Sequence, residues 1–155
     1  MTSKWRAVLS WAAPVLRLIP GAVLAVSGYL KAVRPASEFA ATLESYWIVP
    51  AVLVFPLARA VPWVELVVGL SLLVGFMTLL SAFLAMGLFA TFVAVLAQSI
   101  FRKLPMADCG CFGQVGPHLQ PMQALSVDAG LLVVCILIFL DAERKFAVDK
   151  WIERP

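Results

Sequence analysis

The sequence predicts an all-α membrane protein: a bundle of four transmembrane helices with a short interfacial helix in its first outer loop. Hydrophobic residues make up 63% of the 155 residues and charged residues only 14%, whereas soluble domains carry about 25% charged residues. No ionisable side chain occurs from Leu66 to Phe101. With its apolar flanks this stretch is long enough for two helical crossings of a bilayer core about 30 Å thick. We therefore expect one domain, residues 1–155, that contacts lipid.

The spans follow from allowing about 20 residues for each crossing. They are expected at about residues 11–33, 56–76, 79–101 and 122–140. A tight turn near Gly75 to Thr78 separates the second span from the third. A signal peptide is the alternative interpretation of the first span, because Lys4 and Arg6 precede it. Arg17 interrupts the apolar region of that segment, which favours a transmembrane helix.

The first loop contains a segment with helical spacing. Apolar residues recur there about once per turn, at Phe39, Leu43 and Trp47. This spacing predicts a short helix at the membrane interface between Ser37 and Trp47, where aromatic side chains are favoured. Pro50 and Pro56 are then expected to interrupt the chain before the second span begins.

The distribution of Lys and Arg predicts the orientation of the chain in a plasma (inner) membrane. The terminal segments carry Lys4, Arg6, Arg144, Lys145, Lys150 and Arg154, and the two long loops carry Lys31, Arg34, Arg59, Arg102 and Lys103. The terminal segments carry slightly more basic residues than the loops, which favours cytoplasmic termini and long loops on the outer side. Nucleic acid is not an expected partner, because no basic cluster with interleaved aromatic residues accompanies the net charge of +3.

Besides Arg17, which is expected toward the cytoplasmic side, three ionisable residues stand out in the spans, because a charge at the bilayer centre costs roughly 2.5–3.5 kcal/mol. They are Lys31, Glu65 and Asp128, and the predicted topology places all three near the outer side. Lys31 and Glu65 are expected to pair, because opposite charges together cost less than either charge alone. A structural ion pair and a role in proton transfer both remain open. Small residues are expected where helices approach each other closely: Gly21, Ala25 and Gly28 on the first span, Gly69 and Ser71 on the second, and Ala82, Ala85 and Gly87 on the third.

Two cysteines in the third loop form the most specific motif of the chain, Cys109-Gly110-Cys111. On the oxidising side of a membrane such thiols tend to pair. A disulfide with one intervening residue closes a very small ring, and Gly110 and Gly113 permit the distorted backbone that this ring requires. Strain makes a disulfide easier to reduce. The motif therefore predicts an exchange-active pair rather than a structural crosslink.

Two other interpretations of this loop stay open. The thiolates of Cys109 and Cys111, with Asp108 and His118 nearby, could bind a soft metal ion such as Cu(I) or Zn²⁺. The cysteines could also be incidental residues of a glycine-rich turn. The third cysteine, Cys135, lies within an apolar run and is expected to be a small core residue.

Several of these motifs together resemble the methylamine-utilisation protein MauE family, which is related to the wider DoxX-like four-helix membrane proteins. The resemblance runs over most of the chain. It rests on Gly28–Lys31, on Phe39 followed by Tyr46–Pro50, on Val61–Glu65, and on Cys109–Gly113, of which the last is the discriminating block.

The resemblance implies redox support for maturation of the methylamine dehydrogenase small subunit, a disulfide-rich periplasmic protein. A thioredoxin-like periplasmic protein or the disulfide-containing client is the implied partner. The family pattern makes Cys109 and Cys111 the thiol pair of a thiol-disulfide oxidoreductase system, within a motif that Gly110, Phe112 and Gly113 complete. Lys31 and Glu65 become its buried polar positions. Two other classes stay open: a quinone-linked electron-transfer subunit, and a non-catalytic assembly or transport factor.

Overall fold

The computed structural model describes residues 15–103 and 120–140, and every regular element in these ranges is an α-helix. The all-α prediction is therefore confirmed for the described part of the chain. In chain order the helices are α1 (Leu18–Ala32), α2 (Ala36–Ser45), α3 (Ala51–Val74), α4 (Thr78–Phe101) and α5 (Pro121–Leu140).

Three of these helices are long and apolar enough to cross a membrane: α3 and α4 with 24 residues each, and α5 with 20. At 1.5 Å per residue the shortest of the three is about 30 Å long, the thickness of the hydrocarbon core. Helix α1 is apolar but has only 15 described residues, and the predicted start of the first span lies outside the described residues. A fourth crossing therefore stays a prediction. Large apolar side chains remain exposed along α3, α4 and α5, as a lipid-facing surface requires.

Helix α3 begins at Ala51, earlier than the predicted start of the second span at residue 56. Pro50 directly precedes the helix, whereas Pro56 lies inside it and does not interrupt the chain. Pro56 removes one helical hydrogen bond, the bond to the carbonyl of Val52. Val52 is in the exposed first turn, where water or lipid headgroups can reach that carbonyl. Arg59, expected in the first loop, therefore lies within the helix.

The turn predicted near Gly75 to Thr78 is present between α3 and α4. Gly75 adopts a left-handed conformation with φ of 77°, which a glycine tolerates without steric cost. The backbone N–H groups of Gly75 and Phe76 both donate to the carbonyl of Ser71, at 2.8 and 2.9 Å. The two long helices therefore run in opposite directions.

The short helix predicted in the first loop is also present, as α2, and its location at the membrane interface stays a prediction. It packs against α3 through Ala40, which belongs to a small core cluster with Val54 and Ala58. The two aromatic residues that follow it differ: Tyr46 is buried against Leu96, whereas Trp47 is largely exposed. Only Trp47 is thus free to lie at headgroup level.

The helices pack as two close pairs, α1 with α3 and α4 with α5. Gly21, Gly28 and Gly69 let α1 and α3 approach so closely that a Cβ atom at any of them would meet backbone atoms of the other helix. The α4–α5 pair instead packs apolar side chains, including Phe89 and Leu131, around a core shared with α1 and α3. Cys135 is a fully buried member of this core, as predicted.

Candidate functional site

The structure brings Lys31 and Glu65 together in the interior of the helical bundle. The Lys31 ammonium Nζ donates to both carboxylate oxygens of Glu65, at 2.7 and 3.0 Å. The exposed fractions of the two side chains are 1% and 0%. Burying either charge alone would be costly, and the short two-fold contact compensates each charge with the other. The predicted ion pair is present.

Helix α1 supplies a second hydrogen bond to the same carboxylate. Ser27 precedes Lys31 by one helical turn, so both side chains lie on one face of α1. The Ser27 hydroxyl donates to Oε2 of Glu65 at 2.7 Å. Glu65 is thus held by two residues of one neighbouring helix.

Gly28 lies between these two residues in sequence and determines the distance between α1 and α3. A Cβ atom at this position would lie 2.6 Å from the carbonyl oxygen of Pro62 and from the backbone nitrogen of Leu66. Real Cβ atoms do not make such short contacts, so only glycine fits. The absence of a side chain at Gly28 therefore allows the short contacts from Ser27 and Lys31 to Glu65.

Two aromatic rings flank the Lys31 ammonium on other sides. Its Nζ atom lies 4.9 Å from the ring centroid of Phe39 on α2 and 5.3 Å from that of Phe92 on α4. Cation–π attraction at such distances favours a desolvated cation. Lys31 therefore joins α1, α2, α3 and α4 at one point.

Asp128 is the third charged residue of this region. It is buried within α5 with 6% exposure, and it interacts electrostatically with both Lys31 and Glu65. Its Oδ2 atom is buried and has no hydrogen-bond partner among the described residues. Asp128 therefore lies near the ion pair, but only Lys31 and Glu65 share hydrogen bonds, and a common depth of the three residues in the membrane stays a prediction. We refer to these three residues as the polar cluster.

The residues of the polar cluster lie at different positions along their helices, and Glu65 is near the middle of α3. Lys31 is in the last turn of α1, and Asp128 is about two turns from the start of α5. The segment that carries the cysteine motif joins the end of α4 to the start of α5. Cys109, Gly110, Cys111, Phe112 and Gly113 all lie outside the described residues, as do Asp108 and His118.

An apolar cavity of about 170 Å³ opens beside Lys31. Its walls come from α2, α3 and α4 and include Leu43, Tyr46, Val61 and Phe92. Lys31 is the charged residue of this lining. The cavity therefore combines an apolar wall with one buried cation, an arrangement that suits a ligand with an apolar ring and a polar substituent.

Ser27 and Phe92 contact the charged pair, and neither was predicted as a site residue. The four-residue spacing of Ser27 from Lys31 is a usable signal for a shared helix face. No comparable signal links Phe92 to Lys31, since the two residues come together only through helix packing. Within residues 15–103 and 120–140 there is no group of three metal-binding side chains. The described part of the chain thus offers a charged pair and a cavity, but no metal centre.

Comparison with known proteins adds independent information to this geometry. The model of the methylamine utilisation protein MauE family matches residues 9–141. The methylamine utilization protein MauE of Methylophilus methylotrophus is 36% identical over 89 residues. That match covers 57% of this chain and 46% of the relative, so the chain spans about half the length of the curated protein that it matches. No solved structure matches the chain significantly.

Proposed function

The chain belongs to the methylamine utilisation protein MauE family, and from this membership we propose that it supports thiol-disulfide maturation of an extracytoplasmic protein. The proposed client is of the methylamine dehydrogenase small-subunit type. The protein acts in the inner membrane as a four-span bundle, with its termini in the cytoplasm and its cysteine loop outside. The apolar helices α3, α4 and α5 support a location in a membrane.

The observation that carries the proposal is the Cys109-Gly110-Cys111 motif in the connection between two membrane-spanning helices. Gly110, Phe112 and Gly113 complete the motif, and the glycines allow the backbone to adopt a small disulfide ring. Such a ring is strained and therefore exchanges readily with external thiols. Exchange at the membrane surface requires a motif outside the apolar core, and a loop between two spans meets this requirement.

The proposed reaction is thiol-disulfide exchange, which needs no further oxidant for each step. A client thiolate attacks the disulfide between Cys109 and Cys111, so that this S–S bond breaks as a mixed disulfide forms. A second client thiolate then attacks the client sulfur of the mixed disulfide, and the loop cysteine leaves as a thiolate. The client leaves with one new disulfide, and Cys109 and Cys111 retain two electrons as thiols. A thioredoxin-like partner accepts these electrons when its own disulfide is reduced.

The polar cluster has a supporting role in this proposal. Lys31 and Glu65 hold α1 against α3, and Asp128 lies on α5, the helix that follows the cysteine loop. An ion pair buried in a bilayer specifies helix register, because any other pairing leaves a charge uncompensated. The cluster would thus fix the register of the bundle from which the cysteine loop extends.

Single replacements of the two loop cysteines test the proposal. We expect Cys109→Ser and Cys111→Ser each to abolish maturation of the client while membrane insertion is unchanged, because a single cysteine cannot form the internal disulfide that the client thiolate attacks. The measurement is the yield of client with correct disulfides, determined by mass spectrometry. Cys135→Ala is the matched control, since Cys135 is buried in the core. Full maturation with both loop variants would contradict the proposal and favour a non-catalytic assembly factor.

Thiol labelling of intact cells tests the location of the pair. A membrane-impermeant reagent should label Cys109 and Cys111 only after mild reduction, because the pair is then an external disulfide. Labelling that requires disruption of the membrane would place the pair in the cytoplasm. That result would contradict the proposed orientation.

A quinone-linked electron-transfer subunit is the second candidate, and the apolar cavity beside Lys31 favours it. Its volume of about 170 Å³ is close to that of a cavity that accommodates one benzene ring. A quinone ring in this cavity could accept a hydrogen bond from Lys31. Reduction to the quinol would take two electrons and two protons from the cysteine pair. The same labelling, repeated with a soluble quinone, would then show quinone-dependent oxidation of Cys109 and Cys111.

A further inference from the structure

A second and larger cavity lies between the end of α1, the start of α2 and the first half of α3. Its volume is about 400 Å³, within the range of small-molecule binding sites. Lys31, Arg34, Phe55, Arg59 and Trp63 are among its lining residues. Among the residues that the structure describes, no acidic side chain belongs to this lining.

The three cations of this cavity differ in how well they are compensated. Lys31 is paired with Glu65 at 2.7 Å. Arg34 has only a long, partly exposed contact of 3.5 Å with Glu38, and such contacts contribute little. Arg59 forms no ion pair within the described part of the chain. Two guanidinium groups therefore line one cavity without an effective counterion.

The position of Arg59 makes this excess charge significant. Arg59 lies within a membrane-spanning helix, about 12 Å from its first residue at 1.5 Å per residue. Charged residues at such positions are costly unless they pair or reach a polar phase. A planar guanidinium group binds phosphate or carboxylate oxygens through two parallel hydrogen bonds. An anionic ligand in the cavity would compensate Arg59 and Arg34 together.

Lipid is favoured as the source of the anion by the surroundings of Arg59. Phe55 and Trp63 lie one turn before and one turn after Arg59, on the same face of α3. Both are more than half exposed, at 55% and 58%, and both line the cavity. The guanidinium group is thus bordered by exposed aromatic rings, and tryptophan is typical of the headgroup level. A ligand that fits this face has a charged head and an apolar body.

We propose that this cavity binds the phosphate group of an anionic phospholipid, with its acyl chains along the exposed face of α3. Arg34 and Arg59 form the charge-assisted hydrogen bonds to the phosphate oxygens, and Trp63 lies beside the glycerol region. Basic pockets between transmembrane helices bind lipid headgroups in this way. The lipid would fasten α1, α2 and α3 together beside the polar cluster.

Native mass spectrometry of the full-length protein in detergent tests this proposal. The probes are phosphatidylglycerol, which is anionic, and phosphatidylcholine, which is zwitterionic. We expect the wild-type protein to retain phosphatidylglycerol preferentially. Arg34→Gln and Arg59→Gln should each weaken its binding about ten-fold, the effect of one charge-assisted hydrogen bond. Arg59→Lys should recover only part of the loss, because lysine cannot form the two-fold contact.

Arg102→Gln is the matched control, since Arg102 follows the end of α4 and is exposed. It removes the same charge outside the cavity and should leave lipid binding unchanged. Equal retention of the two lipids, or an equal loss in the control, would overturn the proposal. Displacement of phosphatidylglycerol by inorganic phosphate at similar concentration would overturn the lipid assignment and indicate a free-anion site. If a variant fails to fold, the comparison of the two lipids on the wild-type protein still tests the proposal. No part of the experiment depends on Cys109 or Cys111.

Discussion

The two helix pairs of the bundle achieve close packing by different means. In the α1–α3 pair, glycines bring two backbones into contact, and the interface contains the buried Lys31–Glu65 ion pair. In the α4–α5 pair, apolar side chains such as Phe89 and Leu131 fill the interface. The close packing expected at Gly87 is absent, because a Cβ atom added at Gly87 or at Gly130 would have no neighbouring atom within 4 Å.

The difference shows what each interface specifies. Apolar side chains surrounded by lipid gain little from changing apolar partners, so such an interface tolerates small shifts. A buried charge does not tolerate a shift, because it loses its only strong partner. The α1–α3 interface therefore defines one register, and the α4–α5 interface completes the core around it.

Among the variants that test this difference, removal of the Glu65 carboxylate should have the largest effect on stability. We expect Glu65→Leu to lower the free energy of unfolding by about 3–5 kcal/mol, because it leaves the Lys31 ammonium buried without its hydrogen-bonded counterion. Unfolding in detergent micelles, followed by circular dichroism across a denaturant titration, measures the change.

The double variant Lys31→Met with Glu65→Leu is the control for that experiment. It removes both charges, so it should recover most of the lost stability. A single variant as stable as the wild-type protein would contradict the assignment of a buried ion pair. A double variant as unstable as the single one would show that the loss comes from packing.

A smaller loss of stability is expected from Gly69→Ala, a substitution in the same helix pair. The added Cβ atom would collide with the backbone of Ala25, so α1 and α3 must separate. Forced expansion of a packed interface costs about 1–3 kcal/mol, and it should also lengthen the Lys31–Glu65 contact. The same unfolding titration measures the cost. Unchanged stability would argue against the close approach of the two helices.

The smallest effect, with opposite sign, is expected from Gly87→Ala on α4. A Cβ atom at this position has open space around it, and alanine favours a helix interior over glycine by about 0.5–1 kcal/mol. Stability should therefore rise slightly in the same titration. A loss similar to that of Gly69→Ala would mean that α4 has a close neighbour at Gly87.

Much of the helical organisation was predictable, because helix length and apolar character are local properties of the chain. The turn at Gly75 and the position of α5 follow from short stretches of sequence. The expectation that Pro56 interrupts the chain before the second span was wrong, since Pro56 lies inside α3. A proline in an exposed early turn leaves only one carbonyl unpaired, and sequence alone does not show how exposed that carbonyl is.

The candidate site was predictable only in part. Lys31, Glu65 and Asp128 stood out because charges are rare in apolar segments. The contacts of Lys31 and Glu65 with side chains such as Ser27 and Phe92 required the packing of separate helices. The catalytic assignment of Cys109 and Cys111 stays a prediction, as does the fourth membrane crossing.

The sequence by itself determined that this protein is helical, contacts lipid and carries a cysteine pair between two spans, since hydropathy and motif spacing are read along the chain. Only the tertiary structure decided which charges pair and where cavities form. The physical reason is that side chains far apart in sequence meet only when helices pack, and here glycines set that packing distance. Arg59 is the clearest example: its charge is plain in the sequence, but its place beside Arg34 in one cavity is a property of the fold.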